Sequence, residues 1–137
     1  MTIPHEATGT SKLLGYRLDP PDNEGRVTVR MTVTDQHTNR HGNLHGGLIA
    51  TVMDTSMGAT VSQIKGDGQR IPFSTISLTV NFIGPMPMGE ITARGRVTGG
   101  GFKIVFAESE ARDAQGRLIA TASGTFKRAP LTPSPES

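Results

Sequence analysis

The chain has 137 residues, 34% of them hydrophobic and 19% charged, and contains no cysteine. This is the size of one globular domain with its own core, and the missing cysteine excludes a disulfide scaffold, a thiol nucleophile and a cysteine zinc site. A scattered net charge of +2, with one Tyr and no Trp, excludes a nucleic-acid footprint, and no apolar run approaches the ~20 residues that span a bilayer.

In chain order, residues 1–12 (MTIPHEATGTSK) are polar and lack the apolar stretch of a secretory signal, so a flexible N-terminus and a cytoplasmic location are expected. Leu13 to Leu18 is expected to form a first strand, stopped by the turn-rich DPPDNEG from Asp19 to Gly25. Val27, Val29, Met31 and Val33 then alternate with polar residues at period two, which predicts a half-buried strand.

Residues 35–47, DQHTNRHGNLHGG, are polar and punctuated by glycine and read as a loop. From about Gly47 to Ile64 the pairs Leu48/Ile49, Val52/Met53 and Ser56/Met57 recur at helical spacing. This is the one good helix candidate. Asp54 shares a stripe on it with Gly47, Ala50, Thr51 and Gly58, which are mostly small and permit close approach.

Beyond it, Ile76, Leu78, Val80 and Phe82 alternate until Gly84-Pro85 ends the strand. Ile91 to Val97 alternates likewise, Gly99-Gly100-Gly101 makes a turn into Phe102, Ile104 and Phe106, and Asp113 to Gly116 turns into Leu118 to Phe126. These four strands are expected to form a meander. The domain is thus expected over 13–128, with a mobile proline-rich tail over 129–137. A sheet with one apolar face needs a cover, and one helix is available, so an α+β fold follows: a curved antiparallel sheet wrapped around a long central helix.

The segment NRHGNLHGGLIATVMD, from Asn39 to Asp54, carries the chemistry. Asn39 precedes His45 by six positions and Asp54 follows it by nine, with HGG at 45–47. In this register the chain resembles the PaaI-type hotdog-fold acyl-CoA thioesterases, a resemblance that extends through the SLTVNFIGP strand and covers residues 13–128. The resemblance implies a hotdog fold and hydrolysis of an acyl-CoA or aryl-CoA thioester to free acid and CoA. It implies catalytic roles for Asp54, Gly46, His45, Asn39 and Thr75, and CoA-binding roles for Phe82, Gly84, Pro85, Gly100, Gly101 and Lys103. It also implies a site shared between subunits, two per dimer, often in a tetramer, with no metal or cofactor.

Elementary chemistry agrees. An N–H in the first turn of a helix lacks an intrahelical acceptor and stands at the positive end of the dipole. The Gly46 amide would therefore favour a thioester carbonyl as it gains negative charge. His45 beside it would polarise the carbonyl or place the leaving sulfur. Asp54 would activate water, or attack to form an anhydride that water cleaves. Thr75 would hold the water, although strand alternation turns it away from the Ile76, Leu78, Val80, Phe82 face unless a bulge intervenes. Gly46 and Asp54 are eight residues apart, about 12 Å along a helix, so one carbonyl engages both only if a second chain supplies one of them. Arg70, Arg94, Arg96 and Arg128 are further candidates for CoA phosphates.

Duller readings stand beside these. HGG also suits a plain loop-to-helix junction, and an acid in a helix is commonly a solvated one. His37, His41 and His45 fall at intervals of four, which on a helix would align three metal ligands, but the interspersed glycines oppose a helix there. A non-catalytic acyl-CoA-binding protein of the same fold is the alternative to an enzyme.

Overall fold

The computed structural model describes residues 7–67, 69, 71–86 and 88–130. Arg70 and most of the proline-rich tail, 131–137, lie outside them.

Six strands form one antiparallel sheet in the order β1-β2-β4-β5-β6-β3. They are β1 (Arg17–Leu18), β2 (Thr28–Val33), β3 (Phe73–Phe82), β4 (Gly89–Gly100), β5 (Ile104–Arg112) and β6 (Leu118–Arg128). Across them lies α2 (Gly46–Lys65), preceded by the short helix α1 (Gly9–Leu14) and one 3-10 turn (Asp35–His37). The expected hotdog architecture is present. No described helix is long and apolar enough to cross a membrane.

The long helix buries Ile49, Val52, Met53, Ser56, Met57, Thr60 and Val61, the three- and four-residue repeat of one face. This face packs on Ile91 and Ala93 of β4, Val105 and Ala107 of β5, and Ala122 and Phe126 of β6. Gly95 of β4 lies directly beneath it: a Cβ there would stand 2.2 Å from the Ser56 carbonyl oxygen. The buried hydroxyls are paired, Ser56 with Ser109 at 2.8 Å and Thr60 with the Val27 N–H at 2.9 Å, as burial demands. The stripe of Gly47, Ala50, Thr51, Asp54 and Gly58 faces outward, half-buried or exposed.

Three expectations are corrected. The segment from Leu13 to Leu18 is not one strand: residues 9–14 form α1, started by a reciprocal Thr8–Ser11 cap and ended by Gly15 in the left-handed region at φ +83°, and β1 keeps only Arg17 and Leu18. Second, the last four strands are not a continuous meander. β4, β5 and β6 are, but β4 pairs with β2, and β3 lies on the far edge against β6. The small inward residues Ala93 and Gly95 of β4 let it sit close under the helix. Third, Gly99 and Gly100 still belong to β4, so the turn falls on 101–103, with Gly100 at φ +105°.

Candidate active site

The loop before α2 is built by its own polar groups. Asn39 Oδ1 accepts from the N–H groups of His41 and Asn43, and the Asn39 N–H donates to the Asn43 carbonyl. Gly42, at φ +79°, closes the turn. With Oδ1 so engaged, the Asn39 amide presents its NH2 as the free end. The His45 N–H donates to the His37 carbonyl at 2.9 Å, which fixes where the helix starts.

His45 is the N-cap of α2. Its Nδ1 accepts from the Gly47 N–H at 2.9 Å, so the proton of the neutral ring is on Nε2. Gly46 is the first helical residue, and among the described residues nothing accepts from its N–H. A Cβ on Gly46 would meet the Phe82 ring at 3.2 Å. Asn39, Gly46, Phe82, Gly84 and Pro85 line one open cleft of 320 Å³, together with Leu44 and Met86.

Asp54 is the sole acid of α2, two turns further on. Thr75 donates to its Oδ1 at 2.7 Å, leaving Oδ2 without a donor among the described residues. The bulge that this requires is present: register with β6 slips between Thr75 and Ser77. Thr75 lies opposite buried Phe126 and Leu78 opposite Gly124, so both face the helix, while the extra residue Ile76 is 54% exposed. Asp54 and Thr75 open on a second cleft, of 290 Å³, walled by Ser11, Tyr16, Phe73 and Phe126. The two clefts share no lining residue.

Gly100, Gly101 and Lys103 line neither cleft; they form the β4–β5 hairpin end. There the Arg128 guanidinium lies 3.9 Å from the Phe102 ring centroid and 5.1 Å from that of Phe73, itself a wall of the Asp54 cleft. Arg128, at the end of β6, thus adjoins the Asp54 side. Arg94 and Arg96 are spent elsewhere, paired with Asp22 and Glu24 and with Glu108 on the sheet face opposite the helix. Met53 and Met57 line neither cleft and are fully buried in the core. The three histidines share no helix, His37 ending the 3-10 turn and His45 capping α2. Among the described residues no three His, Asp or Glu side chains converge as metal ligands. Sequence reading missed Tyr16, Phe73 and Phe126 as cleft walls, because strands distant in sequence bring them together.

The thioesterase superfamily model matches residues 41–120, more than half of the chain. No curated protein matches. Among solved structures, the PaaI protein of the Escherichia coli phenylacetic acid degradation operon is 26% identical, with a TM-score of 0.81 over 91% of this chain and 87% of its own. A conserved protein of Pseudomonas aeruginosa is 27% identical, with a TM-score of 0.78 over 90% and 95%. A phenylacetic acid degradation-related protein of Ralstonia eutropha is 25% identical, with a TM-score of 0.78 over 90% and 92%.

Proposed function

The chain belongs to the thioesterase superfamily, and on that premise we propose that it hydrolyses an acyl- or aryl-coenzyme A to the free acid and coenzyme A. One observation carries this reading: the one carboxylate of α2 opens on a cleft with one oxygen held by the Thr75 hydroxyl and the other free. Asp54 Oδ2 takes a proton from water as the water oxygen bonds to the thioester carbon. The carbonyl oxygen, now negative, lies on the Gly46 N–H. The C–S bond then breaks, and the thiolate leaves as coenzyme A with the proton returned from Asp54. Direct attack by Asp54, followed by hydrolysis of the anhydride, uses the same groups. The Asn39 NH2 is a further donor in the Gly46 cleft, and His45, the helix cap next to Gly46, carries a second in its Nε2–H.

Gly46 and Asp54 of one chain serve separate clefts, so each site takes Asp54 from one protomer and Gly46 from its partner. The geometry of β3 supports this. Its outer edge is unpaired among the described residues, and Ile76, Leu78 and Phe82 along it, with Ile83 just beyond, are exposed. Antiparallel pairing of β3 with a second copy, about a two-fold axis near the middle of the strand, brings the Thr75 end of one strand to the Phe82 end of the partner's and joins the two kinds of cleft. Coenzyme A lies along Phe82, Gly84 and Pro85 and reaches Gly100, Gly101 and Lys103, where Lys103 and Arg128 meet its phosphates.

Thiol release from a panel of acyl- and aryl-CoAs tests the reading. Wild type releases thiol, and Asp54→Asn loses at least about a hundredfold. Equal rates remove Asp54 from the mechanism. Binding without release in the wild type would make the protein an acyl-CoA-binding module instead.

A further inference from the structure

His37 is 4% exposed and has no part in the chemistry just described, yet both of its ring nitrogens are committed. Nδ1 accepts from the Thr34 N–H at 2.9 Å, so the ring proton is on Nε2, which lies 2.7 Å from the Leu14 carbonyl oxygen and donates to it. Leu14 is the last residue of α1, where carbonyls lack helical partners. Every other hydrogen bond of α1 is local, within 8–15. Among the described residues the His37–Leu14 bond is therefore the one hydrogen bond that ties α1 to the rest of the chain.

What α1 covers gives that bond a consequence. Thr8 and Ser11, at its start, and Tyr16, just after it, wall the cleft on which Asp54 opens. A six-residue helix is too short to persist on its own propensity, so the position of this wall depends on what holds it. We propose that His37 is a positioning residue that locks α1 over the Asp54 cleft and thereby sets the size of the acyl group admitted. The proposal rests on the thioesterase reading for its substrate, and on geometry alone for the lock.

Two substitutions separate the ring's functions. His37→Gln places an amide donor near the position of Nε2 and keeps the bond to Leu14. His37→Asn places an oxygen near the position of Nδ1, keeps the Thr34 contact and loses the bond to Leu14. Gly15→Val strains the exposed left-handed cap of α1 without touching the core, and serves if His37→Asn fails to fold. The readouts are amide hydrogen exchange over residues 9–14 and kcat/KM across straight-chain acyl-CoAs from acetyl to octanoyl and an aryl-CoA.

With His37→Asn or Gly15→Val, exchange over α1 is expected to quicken, and kcat/KM for large relative to small acyl groups to shift about tenfold from the wild-type ratio, mainly through KM. His37→Gln keeps the wild-type exchange and profile. Unchanged exchange in His37→Asn and Gly15→Val, an unchanged acyl profile, or identical losses in His37→Gln and His37→Asn would overturn the proposal. If the wild type cleaves no thioester, the functional reading and the acyl-size claim both fail, and hydrogen exchange alone decides the lock.

Discussion

The Thr75 hydroxyl on β3 donates a 2.7 Å hydrogen bond to Asp54 Oδ1 on α2, and it does so because one extra residue, Ile76, shifts the register of β3 against β6. Had alternation run unbroken, Thr75 would face away from the helix. Removing the hydroxyl deprives the carboxylate of its one protein donor among the described residues. Thr75→Val is expected to lower kcat by roughly tenfold to a hundredfold, the cost of a charged hydrogen bond, while Thr75→Ser keeps most of the rate. Steady-state kinetics on the best substrate of the panel checks both, and a full rate in Thr75→Val would leave Asp54 without need of its partner.

The two separate clefts make a quantitative prediction about mixed dimers. Asp54→Asn and Gly46→Val are each expected to be inactive alone. A heterodimer of the two has one site with both defects and one site intact. Random remixing at equal amounts should restore about a quarter of wild-type activity. No recovery, with heterodimers verified by mass, would place both groups in one chain's site.

The exposed apolar row on β3 predicts the oligomeric state. Leu78→Lys puts a charge at the centre of the proposed interface, where an unpaired buried charge is costly. Light scattering should show a dimer or larger for wild type and a monomer for Leu78→Lys, with thioesterase activity lost in step. A monomeric wild type with full activity would refute the shared site.

The close approach of β4 to α2 predicts a stability effect remote from the chemistry. Gly95→Ala would bring a methyl group 2.2 Å from the Ser56 carbonyl oxygen and 2.6 Å from Thr60 Oγ1. Helix and sheet must separate to admit it, at a cost of about 3 kcal/mol. Denaturant unfolding should show this loss, whereas Gly101→Ala, at an open position, should be close to neutral.

Acid should weaken the loop that follows β1. The Arg94 guanidinium, hydrogen-bonded to Asp22, holds its carboxyl below the ordinary 3.8, aided by the N–H groups of Arg26 and Glu24 and opposed by desolvation. A carboxylate with a lowered folded-state pKa binds fewer protons folded than unfolded. Its stabilisation is complete above the unfolded value and is lost as pH falls from about 4 through the folded value. The melting temperature of Asp22→Asn should therefore fall less steeply than that of wild type below pH ~4. Parallel curves would show that the pair contributes nothing.

Much of this protein was legible in its sequence because the relevant interactions are local. The three- and four-residue repeat placed α2 to within a residue, and the position of Gly46 beside it put an unpartnered amide at the helix start. Period-two alternation located the strands, and the Asn39, HGG, Asp54 register pointed to the family. Helix α1 carried a weaker local signal, the Thr8 and Ser11 cap and Gly15, against a short apolar pair that also reads as strand.

What only the tertiary structure decided depends on contacts between segments far apart in the chain. Strand order is one such matter, since alternation marks which side of a strand is buried but not which neighbour it pairs with. The direction of Thr75 is another, since a single bulged residue exchanges the two faces of a strand and is fixed by pairing with β6. The walls of the two clefts are a third, although helix spacing already separated Gly46 from Asp54. A 20-residue helix is stiff enough to keep Gly46 and Asp54 apart, and the fold gives each of them different walls.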